Sequence, residues 1–172
     1  MKQFVLFDLD NTLVDSLHLK PLRDQRRWAD VASKIETVEL FDGVPELWTK
    51  LRERKLHLAV VTHSPGIYAR RMLAHVGLAP DKIVAYHDLD GKQKPLPYGY
   101  QLGCKGRVPR CGIAVGDERN DLLAADAFGC IGAFAGWSRD SALTPDDCEC
   151  KGWIYVSRPD ELLSLVDSLH ES

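Results

Sequence analysis

Short apolar runs, each about as long as a β-strand, recur along the sequence and are separated by segments of helical periodicity. The first run covers Gln3 to Phe7 and stops at Asp8. A run without alternating polar residues is typical of a strand buried on both faces, as in a parallel sheet. Comparable runs occupy residues 56–62, 82–86, 112–115, 130–134 and 153–156, and the helical segments occupy 67–76, 120–128 and 159–169. Because strands that alternate with helices pair in parallel through right-handed crossovers, the sequence predicts an α/β fold with the three layers of an α/β/α sandwich.

Composition limits the classes of function. Nearly half of the 172 residues are apolar, so we expect one hydrophobic core. The formal net charge of −3 gives no general electrostatic reason to bind nucleic acid or an anionic membrane. The first apolar run is short and ends in carboxylates, unlike a signal peptide or a membrane span, and we expect a cytoplasmic protein. The five cysteines are odd in number and lack CxxC spacing, so we expect reduced thiols rather than a zinc site.

Residues 17–40 interrupt the alternation directly after the first strand. Their apolar residues recur at helical spacing and form a stripe through Leu22, Trp28, Ala29, Ala32, Ile35 and Val38. The solvated face of this helix or helical hairpin is expected to carry the cations Arg23, Arg26, Arg27 and Lys34, and the alternative is that one of the arginines reaches the substrate. A stripe that includes an indole is more apolar surface than a lone helix normally leaves in water. We therefore favour a homo-oligomer in which the stripe packs on a second copy that completes the pocket. The alternatives are a substrate large enough to cover the site itself and docking of the stripe on its own core.

Polar side chains follow the predicted strands at the place where open α/β sheets bind ligands, beyond the carboxyl ends. They are Asp8 and Asp10 after the first strand, Thr62 after the second, Lys94 in a later loop, and Asp117, Glu118 and Asp121 after residues 112–115. Carboxylates gathered at one edge repel one another unless a cation is bound or some of them are protonated. With no histidine or cysteine in the set, Mg²⁺ is favoured over zinc, and phosphate oxygens usually complete its coordination. Lys94 and Thr62 also suit phosphate, so the set predicts a site for phosphoryl transfer.

Four motifs carry these residues: Phe7 to Leu13 (FDLDNTL), Val61-Thr62, Lys94-Pro95 and Gly116 to Asp121 (GDERND). In order and spacing they resemble motifs one to four of the haloacid dehalogenase-like hydrolase superfamily. The likeness to its phosphoglycolate phosphatase-like branch extends from residue 2 to residue 137. The resemblance implies a Rossmann-like parallel sheet in a core domain of residues 1–16 and 41–172, with residues 17–40 as a minimal helical cap.

The resemblance further implies a Mg²⁺-dependent phosphatase that forms an aspartyl phosphate. Asp8 would attack phosphorus and also bind the metal. Asp10 would act as general acid and base, and its main-chain carbonyl would bind the metal. Thr62 would hold a phosphate oxygen, and Lys94 would neutralise Asp8 and the phosphoryl group.

The fourth motif completes the site that the resemblance implies. Asp117 would be its side-chain metal ligand, and Glu118 would reach the metal directly or through water. Asp121 would orient Lys94 or a metal-bound water. The main-chain N–H groups of Leu9 and Asp10 would bind phosphate.

Two departures from the family pattern bear on specificity. His63 stands where the family often has asparagine or serine, and it receives no role here. The insertion is much shorter than the full helical caps of this branch, which leaves substrate choice open. Asp10 argues against a dehalogenase, and a phosphomutase would need a cap that closes over a sugar phosphate. The alternative from another class is a catalytically silent binding module that keeps the fold.

Overall fold

The computed structural model describes residues 3–169, so the ends of the expected core domain, residues 1–2 and 170–172, lie outside the described residues. The strands are β1 (Phe4–Phe7), β2 (Val14–Asp15), β3 (Glu39–Leu40), β4 (His57–Val61), β5 (Lys82–Val84), β6 (Gly112–Gly116), β7 (Ile131–Ala135) and β8 (Ile154–Val156). Six of them form a parallel sheet in the order β5-β4-β1-β6-β7-β8. The other two, β2 and β3, pair antiparallel beside it.

β1 lies at the centre of the sheet because its side chains are apolar on both faces. All of its residues are buried, and alternate residues join different apolar clusters on the two sides of the sheet. In the register, Phe7 aligns with Val60 of β4 and with Val115 of β6. The carboxyl ends of the three central strands therefore lie side by side, and the residues that follow them share one edge.

Helices cover both faces of the sheet. They are α1 (Lys20–Asp24), α2 (Trp28–Ser33), α3 (Val44–Glu53), α4 (Gly66–His75), α5 (Tyr98–Gly103), α6 (Arg119–Phe128), α7 (Pro145–Glu149) and α8 (Leu162–Ser168). Short 3₁₀ helices occur at Leu17–Leu19, Ile35–Thr37, Tyr86–Asp88, Pro109–Cys111 and Pro159–Glu161. Side chains of α3, α4 and α8 pack on one face, and those of α5 and α6 pack on the other. The predicted three-layer α/β/α sandwich is confirmed. Within residues 3–169, no helix has the length and apolar character needed to cross a membrane.

The sequence prediction omits α3, α5, α7 and the β2–β3 pair. In α3 the signal was present, since the buried residues Val44, Leu47, Trp48 and Leu51 recur at helical spacing. α5 and α7 contain six and five residues, which is too short for periodicity to identify a helix.

The insertion consists of two short helices rather than one. α1 ends before Arg26, whose backbone is left-handed at φ 55°, and α2 begins at Trp28. Within the predicted stripe, Ile35 and Val38 are buried in the main cluster, Leu22 and Trp28 pack against it, and Ala29 is exposed. These contacts favour docking of the stripe on the chain's own core, and a homo-oligomer stays a prediction.

Candidate active site

The loop after β1 places Asp8 and Asp10 at the carboxyl edge of the sheet. The main-chain N–H of Asp8 donates to Val115 O at 2.8 Å, which extends the pairing of β1 with β6. The chain then turns sharply at Asn11, where φ is 60°, and Leu9 O accepts from the N–H groups of residues 13 and 14 at 3.1 and 3.2 Å. Leu9 is fully buried as a whole residue and is not among the residues that line the cavity described below.

Lys94 joins two carboxylates at the centre of the site. Its Nζ donates to Asp8 Oδ1 at 2.6 Å, to Asp121 Oδ1 at 2.5 Å and to Val61 O at 3.0 Å. An ammonium has three donors, so all of them are used. Burial acts to lower the pKa of Lys94, but Asp121 and Asp8 raise it well above its usual range. The lysine is therefore a fixed positive charge.

Hydrogen bonds fix the carboxylates of the fourth motif, one within the motif and one to the loop after β1. Asp121 Oδ2 accepts from Glu118 N at 3.0 Å and caps the first turn of α6. Gly116 makes this approach sterically feasible, because a Cβ atom there would lie 2.2 Å from the Asp121 carboxyl group. Asp117 Oδ1 accepts from Thr12 Oγ1 at 3.0 Å. Glu118 is exposed, and its side chain faces the same cavity.

Negative charge exceeds positive charge among these groups. Three carboxylates, those of Asp8, Asp117 and Asp121, face the single ammonium of Lys94. Burial, opposed by Lys94 and assisted by Asp121, raises the pKa of Asp8 well above its usual range. Burial and then Asp121 raise the pKa of Asp117 to about 7. Both pKa values are raised because burial and the neighbouring carboxylates destabilise the ionised form when no further cation is present.

The donor set fits a hard divalent cation. Asp8 and Asp117 line the cavity with carboxylate oxygens, and Oδ1 of the neighbouring Asn11 is buried without a hydrogen-bond donor in the described residues. Within residues 3–169, no three histidine, cysteine or acidic side chains come together as a metal cage. A cation here would therefore need main-chain oxygen, of which Asp10 O is the expected source, together with water or substrate oxygens.

Asp10 is held by hydrogen bonds that the sequence did not reveal. Oδ1 accepts from Ser16 Oγ at 2.7 Å, from Tyr68 Oη at 2.7 Å and from the Arg23 guanidinium, while Oδ2 accepts from Ser64 Oγ at 2.8 Å. Burial and then the nearby Asp10 raise the pKa of Tyr68, which therefore keeps its proton as a donor. One carboxylate is thus fixed by donors from the insertion, from α4 and from the loop after β4.

Arg23 corrects the interpretation of the insertion. It was assigned to a solvated face, but its side chain is only 11% exposed and also donates to Ser16 Oγ at 2.7 Å. Burial lowers the pKa of Arg23, and Asp10 more than offsets this effect and raises it. The helical periodicity correctly placed Arg23 on the side of the insertion opposite the apolar stripe. It could not show that this polar side faces the carboxyl edge of the sheet.

Thr62 and His63 follow β4 and complete the wall of the site. Thr62 is buried, and its Oγ1 accepts from Ser64 N at 3.1 Å. His63 Nε2 accepts from Lys94 N at 3.1 Å. Burial, and next the charge of Lys94, lowers the pKa of His63 to about 4. The imidazole is therefore neutral at physiological pH and positions the Lys94 loop as an acceptor.

The predicted side chains converge on one cavity of about 250 Å³. Those that line it are Asp8, Asp10, Thr62, Lys94, Asp117, Glu118 and Asp121. A larger cavity of about 730 Å³ shares Arg23, Asp24, Trp28 and His63 with it and extends beneath the insertion. The arrangement combines a buried carboxylate paired with a lysine, a second carboxylate in a cage of donors, and an oxygen-rich corner suited to a cation.

Comparisons with known proteins bear on the family of this chain. A family model described as haloacid dehalogenase-like hydrolase matches residues 18–134, a span that includes Thr62, Lys94 and Asp117 and starts after Asp8 and Asp10. A phosphoglycolate phosphatase of Neisseria meningitidis is 33% identical over 115 residues, which are 64% of this chain and 49% of the relative. A 5′-nucleotidase of Pseudomonas aeruginosa is 32% identical over 109 residues, 60% of this chain and 49% of the relative.

Solved structures share the fold. The crystal structure of a predicted phosphoglycolate phosphatase from Haemophilus somnus has a TM-score of 0.77 at 22% identity, and the match covers 95% of this chain and 97% of that one. At this level of identity the likeness bears on the fold alone. The chain spans about half the length of the curated relatives it matches.

Proposed function

Because the chain belongs to the haloacid dehalogenase-like hydrolases, we propose that it is a phosphatase that hydrolyses a phosphate monoester with Mg²⁺ through an aspartyl phosphate on Asp8. One observation carries this proposal. The Asp8 carboxylate stands at the end of the central strand, is bound by Lys94 Nζ at 2.6 Å, and faces an acid-lined cavity. A nucleophile, a fixed cation and a corner for a second cation are what phosphoryl transfer requires.

In the first step, an oxygen of Asp8 forms a bond to phosphorus while the bond between phosphorus and the ester oxygen breaks. Asp10 gives its proton to that oxygen, so the organic group leaves as an alcohol. Lys94 holds Asp8 Oδ1 and balances charge on the transferred group. In the second step, Asp10 takes a proton from water as the water oxygen bonds to phosphorus. The bond from phosphorus to Asp8 then breaks, and phosphate is released.

The surroundings of Asp10 favour one oxygen for these proton transfers. Oδ1 accepts from Ser16, Tyr68 and Arg23, whereas Oδ2 accepts from Ser64. A proton on Oδ1 would displace three hydrogen-bond donors, whereas a proton on Oδ2 would displace only one. We therefore place the transferred proton on Oδ2. Arg23 and its neighbours act as positioning residues that fix the direction in which this carboxyl group points.

The side chains of Asp8 and Asp117 and the main-chain carbonyl of Asp10 would hold Mg²⁺. The ion would neutralise charge on the phosphoryl oxygens and on the carboxylates. The raised pKa values of Asp8 and Asp117 support this assignment, because a bound cation would offset the repulsion that contributes to them. Thr62 and the N–H groups of Leu9 and Asp10 would bind phosphate oxygens, and Glu118 and Asp121 would support the metal and Lys94.

We assign residues 17–40 as a minimal cap on a core of residues 1–16 and 41–172. Support comes from the β2–β3 pair, which closes the segment at its base, and from Arg23, which reaches from the segment to Asp10. We place the protein in the cytoplasm, where thiols are kept reduced, as the odd number and spacing of its cysteines predict.

A Mg²⁺-dependence assay with a generic aryl phosphate and a panel of phosphorylated metabolites tests the proposal. We expect turnover with Mg²⁺, loss of turnover in chelator and recovery when Mg²⁺ is restored. Asp8→Asn should be inactive and keep the thermal stability of the wild type, while the matched control Asp42→Asn, at an exposed position, should remain active. Undiminished turnover in chelator, or an active Asp8→Asn variant, would contradict the mechanism. A protein that hydrolyses no ester in the panel would instead be the silent binding module.

A further inference from the structure

A cavity of about 730 Å³ adjoins the proposed phosphoryl site, and the chemistry above does not use it. It lies between the insertion, the start of α4 and the loop that follows β5. Its volume is within the range of pockets that bind small organic molecules, about 300–1,000 Å³. Because the two cavities share Arg23, Asp24, Trp28 and His63, a molecule whose phosphate reached Asp8 would extend into the larger one.

Two of the apolar side chains that line this cavity lie outside the core. Ile67 is 69% exposed and Tyr86 is 42% exposed, although both are large hydrophobic residues. The ring of Trp28 packs 5.8 Å from that of Tyr68, centroid to centroid, which leaves a rigid aromatic wall. Exposed apolar side chains gathered at one concave surface are typical of a ligand site.

The same cavity carries a surplus of positive charge. Arg26 and Arg71 line it, are exposed, and form no ion pair within residues 3–169. Arg23 is already bound to Asp10, and Asp24 is the one acidic residue in the described lining. Arg26 has a left-handed backbone at φ 55°, a conformation in which glycine is favoured over other residues. Two unpaired guanidinium groups therefore face one aromatic cavity.

We propose that this cavity binds the organic part of the substrate, and that this part combines a planar ring system with a second anionic group. The ring would pack against Trp28 and Tyr86, and the anion, a phosphate or a carboxylate, would bind Arg26 and Arg71. The inference rests on the proposed phosphatase function and specifies its substrate class. It makes Arg71 a specificity-determining residue.

The test compares three esters under the same conditions: β-glycerol phosphate, adenosine 5′-monophosphate and adenosine 3′,5′-bisphosphate. They add first a ring system and then a second anion. We expect kcat/KM to rise along this series in the wild type. Arg71→Glu should lower the preference for the bisphosphate over the monophosphate about tenfold, chiefly through KM, as expected for one lost charge-assisted contact. Phenyl phosphate and 4-carboxyphenyl phosphate form a second pair that shows whether a carboxylate is accepted.

Two variants make the comparison specific. Arg70→Glu reverses an exposed charge one residue away on the same helix, outside the cavity lining, and should leave the preference unchanged. Arg26→Gly removes the guanidinium while relieving the left-handed backbone, so it should reduce the preference without lowering the melting temperature.

Calorimetric titration of adenosine 3′,5′-bisphosphate without Mg²⁺ supplies a readout independent of turnover. Binding that is weakened by Arg71→Glu and not by Arg70→Glu would support the cavity assignment even if no ester were hydrolysed, in which case the phosphatase proposal alone would fail. Equal kcat/KM for the three esters in an active wild type, or equal effects of the two charge reversals, would overturn the inference while leaving the phosphatase proposal intact.

Discussion

Replacing Lys94 by methionine is expected to destabilise the protein substantially, because it removes the cation that two buried carboxylates share. The Lys94 and Asp121 side chains are each 4% exposed, and the Asp8 side chain is 13% exposed. Removing one partner of a buried ion pair typically costs about 3–5 kcal/mol of unfolding free energy, out of a total of about 5–15 kcal/mol for a domain. Methionine fills a similar volume, so the loss would arise from the uncompensated charge rather than from a void.

The sign of the pH dependence follows from Asp8. Burial raises the pKa of Asp8 above the ordinary value of 3.8, and Lys94 opposes this shift. In Lys94→Met this opposing effect is lost, so the pKa of Asp8 in the folded variant rises further. Above pH 3.8 the folded variant therefore keeps a proton on Asp8 that the unfolded chain has released. The difference in stability between variant and wild type should therefore be small near pH 4 and grow as pH rises towards 8.

Urea unfolding followed by circular dichroism at pH 4.5, 6 and 7.5 measures this difference in unfolding free energy. The comparison requires that variant and wild type have equal m-values, the slopes of unfolding free energy against urea concentration. Lys92→Met is the matched control, because the Lys92 side chain is 52% exposed and should change stability by less than about 0.5 kcal/mol. Lys94→Met with Asp121→Asn should recover part of the loss. A loss below about 1 kcal/mol at pH 7.5, or one that does not depend on pH, would refute the view that Lys94 compensates buried charge.

Asp10→Asn should lower kcat by at least about 10²-fold in steady-state assays, since general acid and base catalysis each contribute about 10²- to 10⁴-fold, and a loss below tenfold would remove Asp10 from this role. Arg23→Gln should lower kcat by about 10- to 100-fold with a smaller change in KM, because it loosens the Asp10 carboxyl group; Arg23→Lys should recover part of this, and equal effects of the two variants would argue against positioning by charge. Neutral His63 accepts from Lys94 N and its pKa is lowered to about 4, so as pH falls from 6.5 towards 4 the unfolded chain binds a proton that the folded chain does not. The wild type should then lose about 1–2 kcal/mol more unfolding free energy over this pH range than His63→Gln. This magnitude is reduced because the imidazole ring is partly exposed to solvent. Parallel curves of unfolding free energy against pH for the two proteins would contradict the prediction.

The strands and the placement of the motifs could be predicted from sequence because both depend on local signals. The apolar run at residues 3–7 predicts a strand buried on both faces, and β1 proves to be the central strand. Once the strands are parallel and in register, the residues after β1, β4 and β6 must meet at one edge. The convergence of Asp8, Thr62 and Asp117 on one cavity follows from that geometry.

The cage around Asp10 could not be predicted in the same way. Ser16, Arg23, Ser64 and Tyr68 come from three segments, and no spacing rule relates them. The prediction left one helix or a helical hairpin open, and the left-handed backbone at Arg26 divides the insertion into α1 and α2. Periodicity within one helix cannot show where a second, differently oriented helix begins.

Trapping the covalent intermediate tests the central claim most directly. Wild-type protein mixed with substrate and Mg²⁺, quenched in acid within milliseconds and reduced with borohydride, should yield homoserine in place of Asp8 when its peptides are sequenced by mass spectrometry. Without substrate, or in Asp8→Asn, no homoserine should appear. Turnover of the ester with no phosphoryl group captured on Asp8, or with capture on another residue, would contradict the assignment of Asp8 as the nucleophile.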